Sequence, residues 1–172
     1  MNIEDTIGDY QIFFSDVLAR LAGLSIEVKG MPISHVCYRV ATDKEYEKIR
    51  EQIKAFCRAY TENDFNGRPV SMLLLKTPLV LLPGYSTSLI ELPAPKPSRP
   101  YPTGLEHVGF VVSKKFSEFQ ERYRGVITGQ KDWGPYCQPL YVTFGNGATA
   151  KFYERSLEEV VKLEGGKFIG IV

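Results

Sequence analysis

Ser34-His35-Val36-Cys37-Tyr38-Arg39-Val40 and Glu106-His107-Val108-Gly109-Phe110-Val111-Val112 hold the only two histidines of the chain at one shared position, 72 residues apart. In the first stretch Val36, Tyr38 and Val40 alternate with Cys37 and Arg39, the period of a half-buried strand. The second repeats the pattern. A duplication of this kind predicts two similar units that bury a common core, with the two histidine strands near a pseudo-twofold axis.

Working outward, each histidine strand feeds a helix. After the first, Thr42 and Glu45 have capping-box spacing, and Tyr46, Ile49, Ile53 and Phe56 mark one helical face through about Ala59. Asn66-Gly67-Arg68-Pro69 is turn chemistry and opens a strand at 70–76. Further strands are expected at 79–82 and, past Pro83-Gly84, at 87–92, before a proline-rich linker at 93–102. After the second histidine strand, Ser113 is a candidate cap, and Phe116, Phe119 and Tyr123 share a helical face. One strand is expected within 125–135, and two more, 138–144 and 148–152, flank the Asn146-Gly147 hairpin signal. A second capping box, Ser156 with Glu159, starts a helix carrying Leu157, Val160 and Val161 that ends at Gly165-Gly166 and is expected to cover a sheet edge. Ahead of everything, Ile3, Ile7, Tyr10, Phe14, Val17, Leu18 and Leu21 predict one amphipathic helix over 3–21. The expected division is a helical extension (1–30), a first βαβββ module (31–98) and a second (99–172), in one structural domain of α+β class.

With 172 residues, 44% of them hydrophobic and 24% charged, the chain can form a real core. A formal charge of +1 argues against general binding to nucleic acid or a membrane surface. The apolar runs around 72–75 and 79–82 are far short of the roughly 20 residues a membrane helix needs. Cys37, Cys57 and Cys137 form no CxxC pair, which suits reduced thiols, and no basic, apolar leader is visible, so a cytoplasmic protein is expected.

These residues resemble the vicinal oxygen chelate superfamily, the glyoxalase and extradiol dioxygenase fold, and within it the YecM-like family. The resemblance spans about 33–164. It rests on the His35 strand, Asn66-Gly67-Arg68-Pro69, Ile90-Glu91-Leu92-Pro93, Glu106-His107, Lys151-Phe152 and Ser156-Leu157-Glu158-Glu159. It implies two βαβββ modules forming a cupped mixed sheet, with a metal held by His35, His107 and Glu91. The fold's usual fourth ligand, a carboxylate, falls where this chain has Lys151.

Two neutral imidazoles and one carboxylate suit Fe, Mn, Ni or Zn and leave positions open for substrate or water. A protonated Lys151 cannot ligate, and Glu154 lies on the opposite strand face. Arg39 shares strand parity with His35 and is expected to face the same pocket, where it and Lys151 would bind the anionic group of a small-molecule substrate. Arg68, just past its turn, is a substrate-binding candidate at the pocket mouth. Cys37 reads as a packing residue, while Tyr141 and Thr143 stay unassigned. The reading is a metal-dependent isomerase, lyase or dioxygenase type of enzyme. Its alternatives are a metal-free binding protein with a Glu91–Lys151 ion pair and an interaction scaffold, with a homodimer left open.

Overall fold

The computed structural model describes residues 2–96, 98, 101–112 and 115–171. Its elements run α1 (Glu4–Ile7), α2 (Tyr10–Gly23), β1 (Ile33–Arg39), α3 (Asp43–Lys54), β2 (Cys57–Asp64), β3 (Pro69–Leu82) and β4 (Tyr85–Pro93). They continue with β5 (Gly104–Val111), α4 (Phe116–Arg122), β6 (Gly129–Gln130), β7 (Leu140–Thr143), β8 (Thr149–Tyr153), α5 (Leu157–Leu163) and β9 (Ile169–Gly170). All nine described strands join one mixed sheet, ordered β6-β7-β8-β5-β1-β4-β3-β2-β9. Each half therefore has the order first strand, fourth, third, second. The halves meet where β1 and β5 pair antiparallel, while β1–β4 and β5–β8 are parallel. This is the expected pair of βαβββ modules.

The two capping boxes form as expected. Thr42 Oγ1 accepts from Glu45 N, and Ser156 Oγ accepts from Glu159 N. Several boundaries differ from the sequence expectation. The N-terminal helix is two helices, because Gly8 at φ 79° stops α1 and Asp9 caps α2 through Ile12 N at 2.8 Å. Helix α3 ends at Lys54, and 57–64 form a strand with only Cys57 and Thr61 buried. The strands expected at 70–76 and 79–82 are one strand, β3. The proline-rich run does separate β4 from β5, though residues 97, 99 and 100 lie outside the described residues, as does the cap expected at Ser113. Helix α5 does not cover an edge. It lies over the open face of the cup, and β9 pairs with the β2 edge instead.

One sheet face packs under α1 to α4. Val36, Ile90, Val108, Phe110 and Phe152 are buried there against Phe14, Val17, Leu21, Tyr46, Ile53 and Phe119. The opposite face carries a smaller apolar cluster of Leu74, Leu89, Cys137, Tyr153, Leu157 and Val160, in which α5 closes over the strands. Strand β1 is thus buried on both faces rather than half-buried. Among the described residues no helix is long and apolar enough to cross a membrane.

At one end of the helix-covered face, Glu62 Oε2 accepts from Tyr46 Oη at 2.7 Å, Arg50 Nη1 at 2.8 Å and Ser71 Oγ at 2.9 Å. Burial pushes the Glu62 carboxyl up, but these donors hold it below its ordinary 4.5. A depressed folded value means that the contribution to stability is complete above about 4.5 and is lost as pH falls through the folded value. Glu62→Gln should therefore lower Tm at pH 7, and the gap from the parent should narrow below about pH 4.5. A gap that is constant with pH would show that the carboxylate charge is not what stabilises this cluster.

Candidate metal centre and cavity

Two matched irregularities where β1 meets β5 build the site. The pairing runs Ile33–Phe110, His35–Gly109, Cys37–His107 and Tyr38–Leu105, so Ser34 is an extra residue on β1 and Glu106 an extra residue on β5. These are equivalent positions of the repeat. A bulge turns a side chain away from strict alternation, and each extra residue ends up beside the imidazole that follows it. Ser34 Oγ lies 2.9 Å from His35 Nδ1, and Glu106 Oε2 lies 2.6 Å from His107 Nδ1. Sequence reasoning, which relied on parity, missed both partners. The available signal was that each repeat has a hydrogen-bonding side chain directly before its histidine.

With their Nδ1 atoms so engaged, the two rings turn Nε2 toward each other, 3.1 Å apart. Glu91 on β4 stands beside Cys37 in the parallel register and brings Oε2 to 2.9 Å from His107 Nε2 and 3.6 Å from His35 Nε2. The structure thus brings together the three residues that the family resemblance implied as ligands, with atoms placed so that they could hold an ion. Glu91 Oε2 is buried, and no donor is aligned on it for a hydrogen bond. Gly109 is a further condition. A Cβ there would sit 2.4 Å from His35 Cε1, so the ring occupies the space that any other residue would fill.

Charge follows from these contacts. Burial drives His35 well below its ordinary value, opposed by Glu91, which leaves a neutral imidazole. Burial also depresses His107, but Cys37 and the Glu106 carboxylate outweigh it and raise the ring above its ordinary value. The Cys37 thiol is itself pushed up by burial, so the Glu106 carboxylate is the charge that acts on His107. Burial raises the Glu91 carboxyl, but His107, Lys151 and His35 together hold it well below the usual range. Burial likewise raises Glu106, which His107 and Arg39 bring down. Both carboxylates are ionised.

Of the triad, Glu91 lines a cavity of about 290 Å³, and the two fully buried histidines lie behind it. Arg39, Arg68, Glu91 and Lys151 all line it, so the four non-histidine site candidates share one space. Arg39 Nε donates to Glu106 Oε2 at 3.0 Å, its guanidinium stacks 4.6 Å from the Tyr101 ring centroid, and its buried Nη1 has no hydrogen-bond partner. Arg68 Nη1 donates to Ala94 O at 2.6 Å. The ion pair between Glu91 and Lys151 on which the metal-free alternative rests does not form within 4.0 Å. Glu91 contacts the two imidazoles, and Lys151 Nζ sits 4.8 Å from the Trp133 ring centroid. Trp133 itself went unnoticed, because the periodicity of 125–135 assigns it to nothing. Glu154 pairs with Arg155 away from the site, and Tyr141 packs over Gly129. Above the triad, Leu157 N at the start of α5 donates to Ser34 Oγ at 2.8 Å, tying the covering helix to the partner of His35.

Two βαβββ modules joined at antiparallel first strands, with a polar cluster in the cup between them, define a vicinal oxygen chelate fold. The family model described as YecM protein matches residues 2–144, and the chain belongs to the YecM family. Protein YecM of Escherichia coli (strain K12) is 26% identical over 180 residues, covering 94% of each chain. A solved structure, structural-genomics protein EC4020, has a similar fold, with TM-score 0.72 and 24% identity over 95% of this chain and 97% of its own. A FosX fosfomycin resistance protein from Listeria monocytogenes, solved with Mn(II) and a dihydroxypropylphosphonic acid, covers 74% of this chain and 95% of its own at 14% identity. Its TM-score is 0.28.

Proposed function

We propose that this protein is a divalent-metal-dependent enzyme that acts on a small anionic or vicinal-oxygen substrate by Lewis-acid catalysis, of isomerase, lyase or dioxygenase type. One observation supports this reading above the others: three potential ligand atoms converge in a buried place, one from each of His35, Glu91 and His107. Cis donors of an octahedral ion with bonds of about 2.1 Å stand about 3.0 Å apart, and those of a tetrahedral ion about 3.4 Å. The separations of 2.9, 3.1 and 3.6 Å bracket those values. The residues present therefore fit Fe, Mn, Ni or Zn held by His35, Glu91 and His107 on one side, with the cavity on the other.

When bound, the ion would supply Lewis acidity to a substrate oxygen. The chain's own residues do the rest. Glu106 holds one His107 proton on Nδ1, so with an ion bound it is the Nε2 proton that would be given up and Nε2 that would ligate, its donor strength raised by the carboxylate. Arg39, Lys151 and Arg68 provide positive charge for the substrate's anionic group. Leu157, Val160 and Val161 of α5 limit water at the reacting end.

The test is elemental analysis of protein purified without chelator or metal-affinity resin, alongside a His107→Ala variant whose fold is checked by circular dichroism. Near-stoichiometric metal in the parent and a loss of at least about tenfold in the variant are expected. No metal in the parent, even after anaerobic Fe(II), Mn(II), Ni(II) and Zn(II) are offered, would overturn the proposal.

A further inference from the structure

We infer that the cavity takes a small organic oxyanion with an apolar body, its head seated on the free edge of Arg39 and its body between α5 and the Phe65–Trp133 pair. This names the substrate class for the site proposed above and rests on that site's being the functional one.

The head position follows from what Arg39 leaves unused. The residue is only 8% exposed, and its Nε is committed to Glu106. One face of the guanidinium is taken by Tyr101. That fixes the fork in place, yet Nη1 is buried without a partner at a cavity wall. A buried donor of a permanent cation left unmatched is costly, whereas an oxyanion would satisfy it with a charge-assisted hydrogen bond. Lys151 strengthens the same preference. It is 7% exposed, makes no ion pair within 4.0 Å among the described residues, and lies across an aromatic face in the same cavity. A neutral acceptor could take a hydrogen bond from Arg39 but would leave the Lys151 charge without a counter-ion, and a cation would serve neither group.

The body position follows from the rest of the wall. Val70 and Met72 on β3 face Leu157, Val160 and Val161 on α5. Phe65, in the turn between β2 and β3, meets Trp133 edge to face at 5.6 Å, so one aromatic from each module bounds the space. A volume of about 290 Å³ lies at the small end of ligand cavities and admits a short or single-ring body beside the head.

Trp133 is the chain's only tryptophan, so its fluorescence reports on this cavity directly. The probes are phenylacetate, phenylphosphonate and the neutral phenylacetamide, titrated against full-length protein both as purified and after chelator treatment. Saturable quenching by at least one acid is expected, with phenylacetamide weaker by about tenfold or more, the loss of one charge-assisted hydrogen bond. Arg39→Met should weaken the acids by a similar factor while leaving the amide unchanged. Because Arg39→Met also strands Glu106, Lys151→Met serves as a second variant that keeps the Arg39–Glu106 pair and should weaken the acids in the same direction. Tighter binding of phenylacetate assigns a carboxylate head, and tighter binding of phenylphosphonate a phosphonate or phosphate head; both support the inference. Equal binding of the amide, acid binding untouched in both variants, or no saturable quenching by either acid overturns it. Acid binding that survives chelation would uphold this inference even if the protein proved to hold no metal.

Discussion

Gly109→Ala is expected to displace the His35 imidazole and with it the metal. The added methyl would stand 2.4 Å from Cε1 and 2.7 Å from Nδ1 of that ring, and the buried ring has nowhere to retreat without leaving Glu91 and His107. Position 109 lies within β5 without a positive φ, so alanine suits its backbone and the whole effect comes from the clash. Overpacking of this kind costs about 1–3 kcal/mol. In a chain of this length each kcal/mol lowers Tm by about 2–4 °C. Metal affinity should fall by about 10–100-fold, the scale seen when a ligand loses its support. The control is a double variant with His35→Ala. If the clash is with the ring, removing the ring restores much of the lost stability, and the two changes are strongly non-additive. An unchanged Tm together with unchanged metal content in Gly109→Ala would refute the tight seat of His35.

Glu91→Gln should cost stability without metal and should also lose the stabilisation that metal brings. Without metal, Glu91 Oε2 lies 2.9 Å from His107 Nε2, and His107, Lys151 and His35 hold its carboxyl well below the ordinary value, so the ionised form stabilises the fold at neutral pH. A glutamine removes that charge, so the metal-free variant should melt below the parent at pH 7. Added metal should widen the gap. Binding at about 1,000 times Kd stabilises a folded protein by about 4 kcal/mol, or about 8–16 °C here, and Glu91→Gln should lose most of that shift. Calorimetric scans of both proteins, chelated and with excess Mn(II) or Zn(II), measure all four values. Equal metal-induced shifts in the two proteins would remove Glu91 from the ligand set.

The fold was legible where pattern and placement coincide. The alternation around His35 and His107, with one histidine in each copy, located β1 and β5 and hence the centre of the sheet. The triad was legible with it, through the family resemblance that added Glu91. What stayed hidden depends on contacts distant in sequence. The apolar face and cap of α5 were readable, but such a face packs equally well over a sheet edge or a sheet face. The bond from Leu157 N to Ser34 Oγ, spanning 123 residues, is part of what holds it over the cup. Strand β2 was absorbed into the preceding helix because its polar residues keep no clear period of two, and only Cys57 and Thr61 are buried. The break at Gly8 was overlooked because apolar residues on both sides continue the same helical spacing. The partners of the histidines were invisible for a geometric reason. Neighbouring residues on a regular strand face opposite ways, and only the paired bulges put Ser34 and Glu106 beside the rings they serve.

Those bulges stand at equivalent places in the two modules and make two different kinds of clamp. Glu106, ionised and acceptor-only, holds one His107 proton on Nδ1 in every state of the ring, so only the Nε2 proton would have to leave for a cation to bind there. Ser34 dictates nothing of the sort. Its hydroxyl can accept a hydrogen bond from His35 Nδ1–H or donate one to a bare Nδ1, so the neutral His35 ring can carry its proton on either nitrogen. With its proton on Nδ1, His35 turns the Nε2 lone pair toward His107 Nε2, where it can accept a hydrogen bond or, in the reading proposed above, meet a cation. The two modules thus carry one fixed jaw and one adjustable jaw, so His35 can change which nitrogen holds its proton without leaving either one stranded in the core.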